Sequence, residues 1–247
     1  MKRHFLGFCL AAVLLIGVFC PLARAETPDF PAQALVLMEA STGQVLYEKS
    51  AHVQRPCASI TKVMTLLLVF EAIDAGTLHL DDVLTASAHA AGMGGSDIWL
   101  KEGEQMTVDD LIKACVVMSA NDAAVVLAEA VAGSEDAFVE RMNARAAELG
   151  CTGTNFTCAH GLFDYGNVST AEDMARIAAE CYKNPTFVQV SGTAAYTMPA
   201  TNLHQNERTI NSTNPLTDTG SEFYRSYIKC VKGGFTTLAG RCAVAFA

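Results

Sequence analysis

Ser59 and Lys62 stand three residues apart in CASITKVMTLLLVF, residues 57–70, just before a strongly apolar run. At positions i and i+3 of a helix, two side chains share one face. A serine hydroxyl needs an adjacent base to act as a nucleophile, and burial lowers the pKa of a lysine toward neutrality. The pair therefore predicts nucleophilic catalysis, although an N-cap serine beside a surface lysine would produce the same letters.

Two segments further along the chain could complete such a site. Ser119 and Asn121 in MSANDAA lie at a predicted junction of two helices, where side chains can face a cleft. Ordinary N-capping by Asn121 is the alternative there. Lys232 in VKGGFTTLAG lies inside an apolar strand, and the glycines after it allow another backbone to approach closely. An edge-strand lysine that prevents aggregation is the alternative.

The remaining pattern predicts the elements that must position these residues. Strand-like segments stand near both ends, as AQALVLMEA and GQVLYEKSA, then as SYIKCVKGGFTT and GRCAVAFA. Helical patterns lie between them and begin after the capping residues Thr107, Ser134 and Thr170. Because helices and strands are grouped, we predict an α+β fold with an antiparallel sheet built from both chain ends. The sheet is expected to be incomplete at its C-terminal end.

Composition limits the classes of function. The 247 residues are 51% hydrophobic and 17% charged, which suits one large folded domain. The formal net charge of −9 offers no basic surface for nucleic acid. The chain has no CxxC motif and its six histidines are scattered, so no metal and no other cofactor is expected.

The first 25 residues have the basic start, apolar stretch and Ala-Arg-Ala ending of a secretory signal peptide. An uncleaved anchor is the alternative, since Phe5 to Leu22 is nearly long enough to span a bilayer, but Pro21 favours cleavage. Residues 26–247 are therefore expected to work outside the cytoplasm. They contain seven cysteines, and an odd number cannot all pair, so buried reduced thiols are predicted.

The order S-x-x-K, then S-x-N, then K-x-G resembles the signature of serine penicillin-recognising enzymes. The stretches GGSDIWLKEGEQMTVDDLIKACVVMSANDAAVVLAEAVAGSEDAFVERMNARAAELG, TNFTCAHGLFDYGNVSTAEDMARIA and NSTNPL are similar to low-molecular-mass D-alanyl-D-alanine carboxypeptidases of the S11 peptidase family. The resemblance runs from about Ala32 to the last residue. It implies a β-lactamase/transpeptidase-like fold and a penicillin-recognising serine peptidase domain over residues 26–247. His160 and Gly161 resemble a family motif and are given a structural loop role.

This resemblance implies a role for each motif residue. Ser59 would attack the carbonyl between the two terminal D-alanines of a peptidoglycan stem peptide, with Lys62 as general base. Ser119 would pass a proton to the leaving amine. The residues implied to bind substrate are Asn121, Lys232, Gly233, Gly234, Phe235 and Thr236.

The implied contacts also explain inhibition by β-lactams. Lys232 would attract the substrate carboxylate and help to keep Lys62 neutral by repulsion, while the N–H groups of Ser59 and Phe235 form an oxyanion hole. The substrate would lie along Lys232–Thr236 as an added strand, and penicillins would mimic it and stall as acyl-enzymes. Membrane association is expected only through a C-terminal tail, which this chain lacks.

Two departures from the family pattern stand out. Gly233 replaces the threonine of K-T-G, so one hydroxyl for the substrate carboxylate is missing. A hydrogen bond to a charged group is worth about 1.5–3 kcal/mol, which predicts binding and turnover weaker by roughly one to two powers of ten. The chain also stops where such enzymes continue with a strand, a helix and a β-rich domain, so a truncated domain is expected.

Two other functions stay open. A β-lactamase shares the fold and the motifs but needs a further carboxylate to activate the deacylating water. Glu102, Glu104 and Asp164 are near enough in sequence, although none lies in a recognisable pattern. A non-catalytic protein that binds peptidoglycan or β-lactams would result if Gly233 and the chain end abolish turnover.

Overall fold

The computed structural model describes residues 28–162, 164–212 and 214–247. The predicted signal peptide, residues 1–25, lies outside these ranges and stays a prediction. Residues 28–32 are the described part of a first unit and contain neither helix nor strand, while Gln33–Ala247 form the second unit and hold every element named below. None of the helices in the described ranges is both long and apolar enough to cross a membrane.

The helical elements occupy the middle of the chain, as predicted. A 3₁₀ turn at Ala58–Thr61 leads directly into the first α-helix. The α-helices are α1 Lys62–Asp74, α2 Ala88–Ala91, α3 Val108–Val117, α4 Asn121–Ala132, α5 Glu135–Glu148, α6 Ala171–Tyr182 and α7 Pro185–Ser191. The predicted caps are confirmed, since the hydroxyls of Thr107, Ser134 and Thr170 each accept a backbone N–H from the first turn of the helix that follows.

Within the described ranges, ten short strands pair into antiparallel ladders of two. They are β1 Leu35–Met38, β2 Val45–Lys49, β3 Arg55–Pro56, β4 Val83–Thr85, β5 Gln105–Thr107, β6 Val168–Ser169, β7 Ala195–Met198, β8 Arg208–Asn211, β9 Cys230–Thr236 and β10 Gly240–Phe246. The pairs are β1 with β2, β3 with β6, β4 with β5, β7 with β8 and β9 with β10. Antiparallel strands from both chain ends are thus present, but in the described residues they form separate hairpins, and β1 and β10 both contact α6.

Helix α1 is the centre of the helical block. It packs against α4, α5 and α6, and every residue from Lys62 to Phe70 is buried. A helix that is apolar on all sides is buried on all sides. A lysine in its first turn therefore lies inside the protein, which decides the setting of the chemistry.

Two glycines let neighbouring backbone reach the 3₁₀ turn. A Cβ atom on Gly234 of β9 would lie 2.7 Å from the backbone nitrogen of Ser59. Gly161 has φ +82°, and a Cβ there would lie 1.9 Å from the carbonyl oxygen of Ala58. Both positions therefore exclude a side chain, and the segments they belong to press directly on the turn that carries Ser59.

We expect Gly161→Ala to destabilise the fold far more than Gly76→Ala. Both glycines have left-handed φ values, but a Cβ on Gly76 meets nothing within 4 Å. The left-handed backbone alone costs about 1–2 kcal/mol, and forcing atoms into packed space costs about 1–3 kcal/mol more. Chemical denaturation of both variants measures the difference. Equal losses of unfolding free energy would contradict the close approach at Gly161.

Candidate active site

Ser59 and Lys62 form a buried pair at the start of α1. The Lys62 Nζ lies 3.2 Å from the Ser59 Oγ, and the lysine is completely buried. The 3₁₀ turn places the serine hydroxyl beside the amine that follows it in the chain. The structure therefore brings together the nucleophile and the base that the sequence predicts.

Two further acceptors orient the Lys62 amine. Its Nζ donates to the side-chain oxygen of Asn121 at 2.6 Å and to the backbone carbonyl of His160 at 2.6 Å. A protonated lysine has three N–H donors, one for each of its three neighbours. After Lys62 loses a proton, its two remaining N–H groups point to the two nearer acceptors, Asn121 and His160. The lone pair then faces the Ser59 hydroxyl, which is the geometry that a general base requires.

The Asn121 side chain is itself held in place. Its Nδ2 donates to the carbonyl of Gly94 at 2.6 Å, and its backbone N–H donates to Ser96 O at 2.7 Å. An ammonium group can only donate, so the amide has one orientation that satisfies both neighbours. Ala120, not Asn121, is the residue that precedes α4, so Asn121 is not an N-cap. Its predicted contact with substrate stays a prediction.

A second lysine pairs with the second serine. The Lys232 Nζ donates to Ser119 Oγ at 2.7 Å and to the carbonyl of Gly233 at 2.7 Å. Ser119 has φ +60°, an uncommon backbone conformation for a residue with a side chain. Such strained residues are concentrated at functional sites. Lys232 is 8% exposed, so both amines of the site lie out of bulk water.

Burial lowers the pKa of both lysines. The pKa of Lys62 falls to about 8 because burial penalises its charged form, although nearby thiol and carboxyl groups act in the opposite direction. The pKa of Lys232 falls to about 7 because of burial and, next in size, repulsion from Lys62. The predicted like-charge repulsion thus acts on Lys232, whereas burial is the main cause at Lys62.

The other predicted substrate-binding residues lie along β9. Gly234 packs against the 3₁₀ turn, while a Cβ on Gly233 would meet only the carbonyl oxygen of Cys242, at 3.9 Å. The Phe235 side chain is 65% exposed. The Thr236 hydroxyl accepts the backbone N–H of Ala239 at 3.0 Å, in the turn that joins β9 to β10.

The carboxylates considered for a β-lactamase reaction are engaged elsewhere or exposed. Glu104 is buried and accepts hydrogen bonds from Arg208 at 2.6 Å and from Thr201 at 3.0 Å. Asp164 accepts the backbone N–H of Gly166, and Glu102 is exposed.

Across the described ranges, no group of three or more His, Cys, Asp and Glu side chains is placed to hold a metal ion. Six cysteines have described side chains, namely Cys57, Cys115, Cys151, Cys158, Cys181 and Cys242. All but Cys242 are buried, as predicted.

Sequence reasoning missed the part that His160 plays. From the sequence, His160 and Gly161 are expected to have only a structural loop role, whereas the structure uses the backbone carbonyl of His160 as an acceptor for Lys62. A backbone carbonyl leaves no trace in the residue type. The adjacent Gly161 was the one available signal, because its close approach to Ala58 brings this loop to the site.

Known proteins resemble this chain in sequence and in structure. The sequence model of the family described as D-alanyl-D-alanine carboxypeptidase, Peptidase S11, matches residues 22–247. The chain is 42% identical over 195 residues to D-alanyl-D-alanine carboxypeptidase DacF of Bacillus subtilis (strain 168), a match that covers 74% of this chain and 50% of that protein. The chain spans about half the length of the curated relatives it matches.

Two solved structures illustrate the structural likeness. D-alanyl-D-alanine carboxypeptidase DacD from Francisella tularensis superposes with a TM-score of 0.82 at 27% identity, covering 90% of this chain and 64% of that one. Penicillin-Binding Protein D2 from Listeria monocytogenes, in its ampicillin-bound form, gives a TM-score of 0.74 at 29% identity, covering 88% and 86%. The predicted α+β, transpeptidase-like fold is confirmed.

We expect Lys62→Met to flatten the dependence of stability on pH between 7 and 9. The pKa of Lys62 is about 8 in the folded chain, against an ordinary value of 10.5. Between those values the unfolded chain binds more protons than the folded one, so the unfolding free energy rises with pH. One buried lysine contributes up to about 1 kcal/mol per pH unit.

Denaturation curves at several pH values measure this slope. The range stops at pH 9 because buried thiols lower the unfolding free energy as the pH rises above that value. Cys57 is one of them, since burial raises its pKa to about 12. The same substitution at the exposed Lys101 controls for the loss of a positive charge. If the unfolding free energy of Lys62→Met depends on pH as steeply as that of the wild type, the burial of the Lys62 amine is contradicted.

Proposed function

Because the chain belongs to the D-alanyl-D-alanine carboxypeptidase family, Peptidase S11, we propose that it removes the terminal D-alanine from peptidoglycan stem peptides. The observation that carries the proposal is the Lys62 amine, buried 3.2 Å from the Ser59 hydroxyl and oriented by two further acceptors. An amine whose pKa burial lowers to about 8 is neutral often enough to act as a base near pH 7–8.

Acylation begins with the Ser59 hydroxyl. Its proton moves to the Lys62 lone pair while Oγ bonds to the carbonyl carbon between the two D-alanines. The carbon–nitrogen bond then breaks, and the leaving amine takes a proton from Ser119, which is reprotonated by the proton that Lys62 accepted from Ser59. Since Lys232 donates to the Ser119 oxygen, the serine keeps its own hydrogen available for this transfer. Water subsequently cleaves the acyl-enzyme, and Ser59 regains its proton.

The carboxylate of the terminal D-alanine binds at Lys232. Its arrival favours the protonated form of Lys232, whose pKa is only about 7 without ligand. A charged Lys232 in turn opposes protonation of Lys62. The substrate thus favours the charge state in which one lysine holds the carboxylate and the other acts as base.

The developing oxyanion is bound by the backbone N–H groups of Ser59 and Phe235. The close approach of Gly234 to the Ser59 nitrogen supports this arrangement, because it brings β9 against the turn that carries the nucleophile. Removing one such donor typically costs roughly a hundredfold or more in rate. The peptide lies along Lys232–Thr236 as an added strand.

The partners and location follow from the same proposal. The substrate is peptidoglycan, and β-lactams acylate Ser59 as substrate mimics, in keeping with the ampicillin-bound form of the Listeria monocytogenes relative. The protein works on the cell wall, outside the cytoplasm, which agrees with the predicted but undescribed signal peptide at residues 1–25. No nucleic acid takes part.

The proposed function predicts two outcomes for one protein preparation. A fluorescent penicillin labels the wild type, and a peptide ending in D-Ala-D-Ala releases free D-alanine. Ser59→Ala abolishes both, because the nucleophile is lost, whereas Ser41→Ala at an exposed turn retains both. Rapid antibiotic hydrolysis without D-alanine release would instead indicate a β-lactamase. No Ser59-dependent adduct would overturn both enzymatic functions.

We expect Gly233→Thr to raise kcat/KM on the D-Ala-D-Ala peptide by about tenfold to a hundredfold. A restored hydroxyl adds one hydrogen bond to the substrate carboxylate, worth about 1.5–3 kcal/mol. The side chain fits, since a Cβ at this position meets only an atom 3.9 Å away. Gly233→Val is the matched control, because valine has the same shape and no hydroxyl. Equal rates for the threonine and valine variants would contradict this explanation of the departure.

A further inference from the structure

We propose that Glu135 is a positioning residue for the Lys62 base and acts through the loop of residues 158–161. The inference rests on the proposed function, because it concerns the proton transfer from Ser59. Glu135 is the first residue of α5, in a different element from the three sequence motifs. Its effect on chemistry reaches Lys62 through the backbone of the loop.

The Glu135 carboxylate holds the loop by direct contacts. Its Oε1 accepts the backbone N–H of Ala159 at 2.8 Å and lies 3.4 Å from His160 Nε2. Its Oε2 lies 2.7 Å from His89 Nε2, in α2. The side chains of Glu135 and His160 are each 11% exposed, so their mutual contact is shielded from water, whereas the His89 side chain is 53% exposed.

The same loop delivers two carbonyls to α1. Ala159 O accepts the Thr65 hydroxyl at 2.6 Å, and His160 O accepts the Lys62 Nζ at 2.6 Å. The Ala159 N–H that Glu135 binds is therefore one residue from the carbonyl that orients the base. The peptide units are planar, so only the φ and ψ angles of Ala159 and His160 separate the two groups, and we infer that releasing the first displaces the second.

The His160 ring completes the connection. Its Nδ1 accepts the backbone N–H of Leu162 at 3.0 Å, so the hydrogen of the neutral ring is on Nε2, which faces Glu135. Burial lowers the pKa of His160 to about 4, so the ring is neutral at working pH. The ring therefore faces Glu135 through Nε2 and accepts the Leu162 N–H through Nδ1. It connects the carboxylate to the part of the loop that follows His160, while the Ala159 N–H connects it to the part before.

Loss of this positioning would act on the lone pair of Lys62. With the His160 carbonyl displaced, a neutral Lys62 has one firm acceptor in place of two, and its lone pair is no longer held toward Ser59. A misplacement of about 1 Å at a reacting group costs on the order of a hundredfold in rate. Binding of ligand at Lys232 does not depend on this contact.

The neighbouring titratable groups bear on the test. Those that face Glu135 are His89 from α2 and Cys158 and His160 from the loop. Those that face Lys62 are Cys115 from α3, Cys158 and His160 from the loop, Asp97 from the segment before β5, Asp122 from α4 and Lys232 from β9. All of them are retained in the variants below, so a change in the pH profile is attributable to Glu135.

The experiment measures the rate of penicillin acylation against pH for Glu135→Ala, Glu135→Gln and Glu129→Gln. Glu129→Gln is the matched control, because Glu129 on α4 also ties down α2, through Ser87 Oγ at 2.9 Å. Rates are taken at saturating and at low penicillin, which separates the acylation step from binding. They are expressed per folded molecule, with thermal melting recorded for each variant.

In the wild type, acylation rises with pH as Lys62 loses its proton near pH 8. We expect Glu135→Ala to lower the plateau by about tenfold to a hundredfold, with binding unchanged. Its rising limb moves to lower pH, since both the lost carboxylate and the loosened carbonyl favoured the charged amine. Glu135→Gln retains an oxygen for the Ala159 N–H and recovers most of the plateau, with a smaller shift. Glu129→Gln follows the wild type.

Several results would overturn the inference. If Glu135→Ala has the plateau rate of acylation and the rising limb of the wild-type pH–rate curve, per folded molecule, then Glu135 has only a structural role. If Glu135→Ala does not fold, Glu135→Gln decides the question. A rising limb for Glu135→Gln that superimposes on that of the wild-type pH–rate curve would likewise leave Glu135 with only a structural role. A wild-type protein that forms no Ser59-dependent adduct overturns the proposed function, and this inference with it, so the two failures are distinguishable.

Discussion

The site depends on the cost of placing two lysine amines in one region from which water is excluded. Burial lowers the pKa of Lys62 to about 8, and burial together with repulsion from Lys62 lowers the pKa of Lys232 to about 7. Charges repel more strongly where the local dielectric is low. Near neutral pH the pair therefore resists holding two protons, and a neutral amine is available without any histidine or carboxylate base.

The architecture of the helical block produces this setting. Helix α1 is apolar on every side and lies at the centre of the block, so its first-turn lysine is buried by the same packing that stabilises the fold. Isolated buried amines are costly unless they have hydrogen-bond partners. Lys62 has three, from Ser59, Asn121 and His160. The partners that satisfy the amine are also those that direct its lone pair, so stability and reactivity have a common origin here.

Local sequence signals predicted local structure well and distant contacts less well. The Ser59–Lys62 pairing depends on helical spacing, and the caps at Thr107 and Thr170 depend on residues within one turn, so single-chain reasoning reaches them. The pairing of β3 with β6 joins distant segments, Arg55 with Ser169 and Pro56 with Val168, which no local pattern specifies. The His160 carbonyl was missed for a second reason, because backbone groups are the same for every residue type.

The glycines of the site show how the fold separates positions that tolerate change from those that do not. At Gly161 and Gly234 a side chain would enter the backbone around Ala58 and Ser59, so packing forbids substitution there. At Gly233, one residue before Gly234, the space is open and only the hydroxyl of a threonine is missing. Because a strand alternates its faces, neighbouring residues of β9 meet different surroundings. Glycine in place of threonine at position 233 therefore leaves the packing around Ser59 and Lys62 intact, and its proposed effect is confined to binding of the substrate carboxylate.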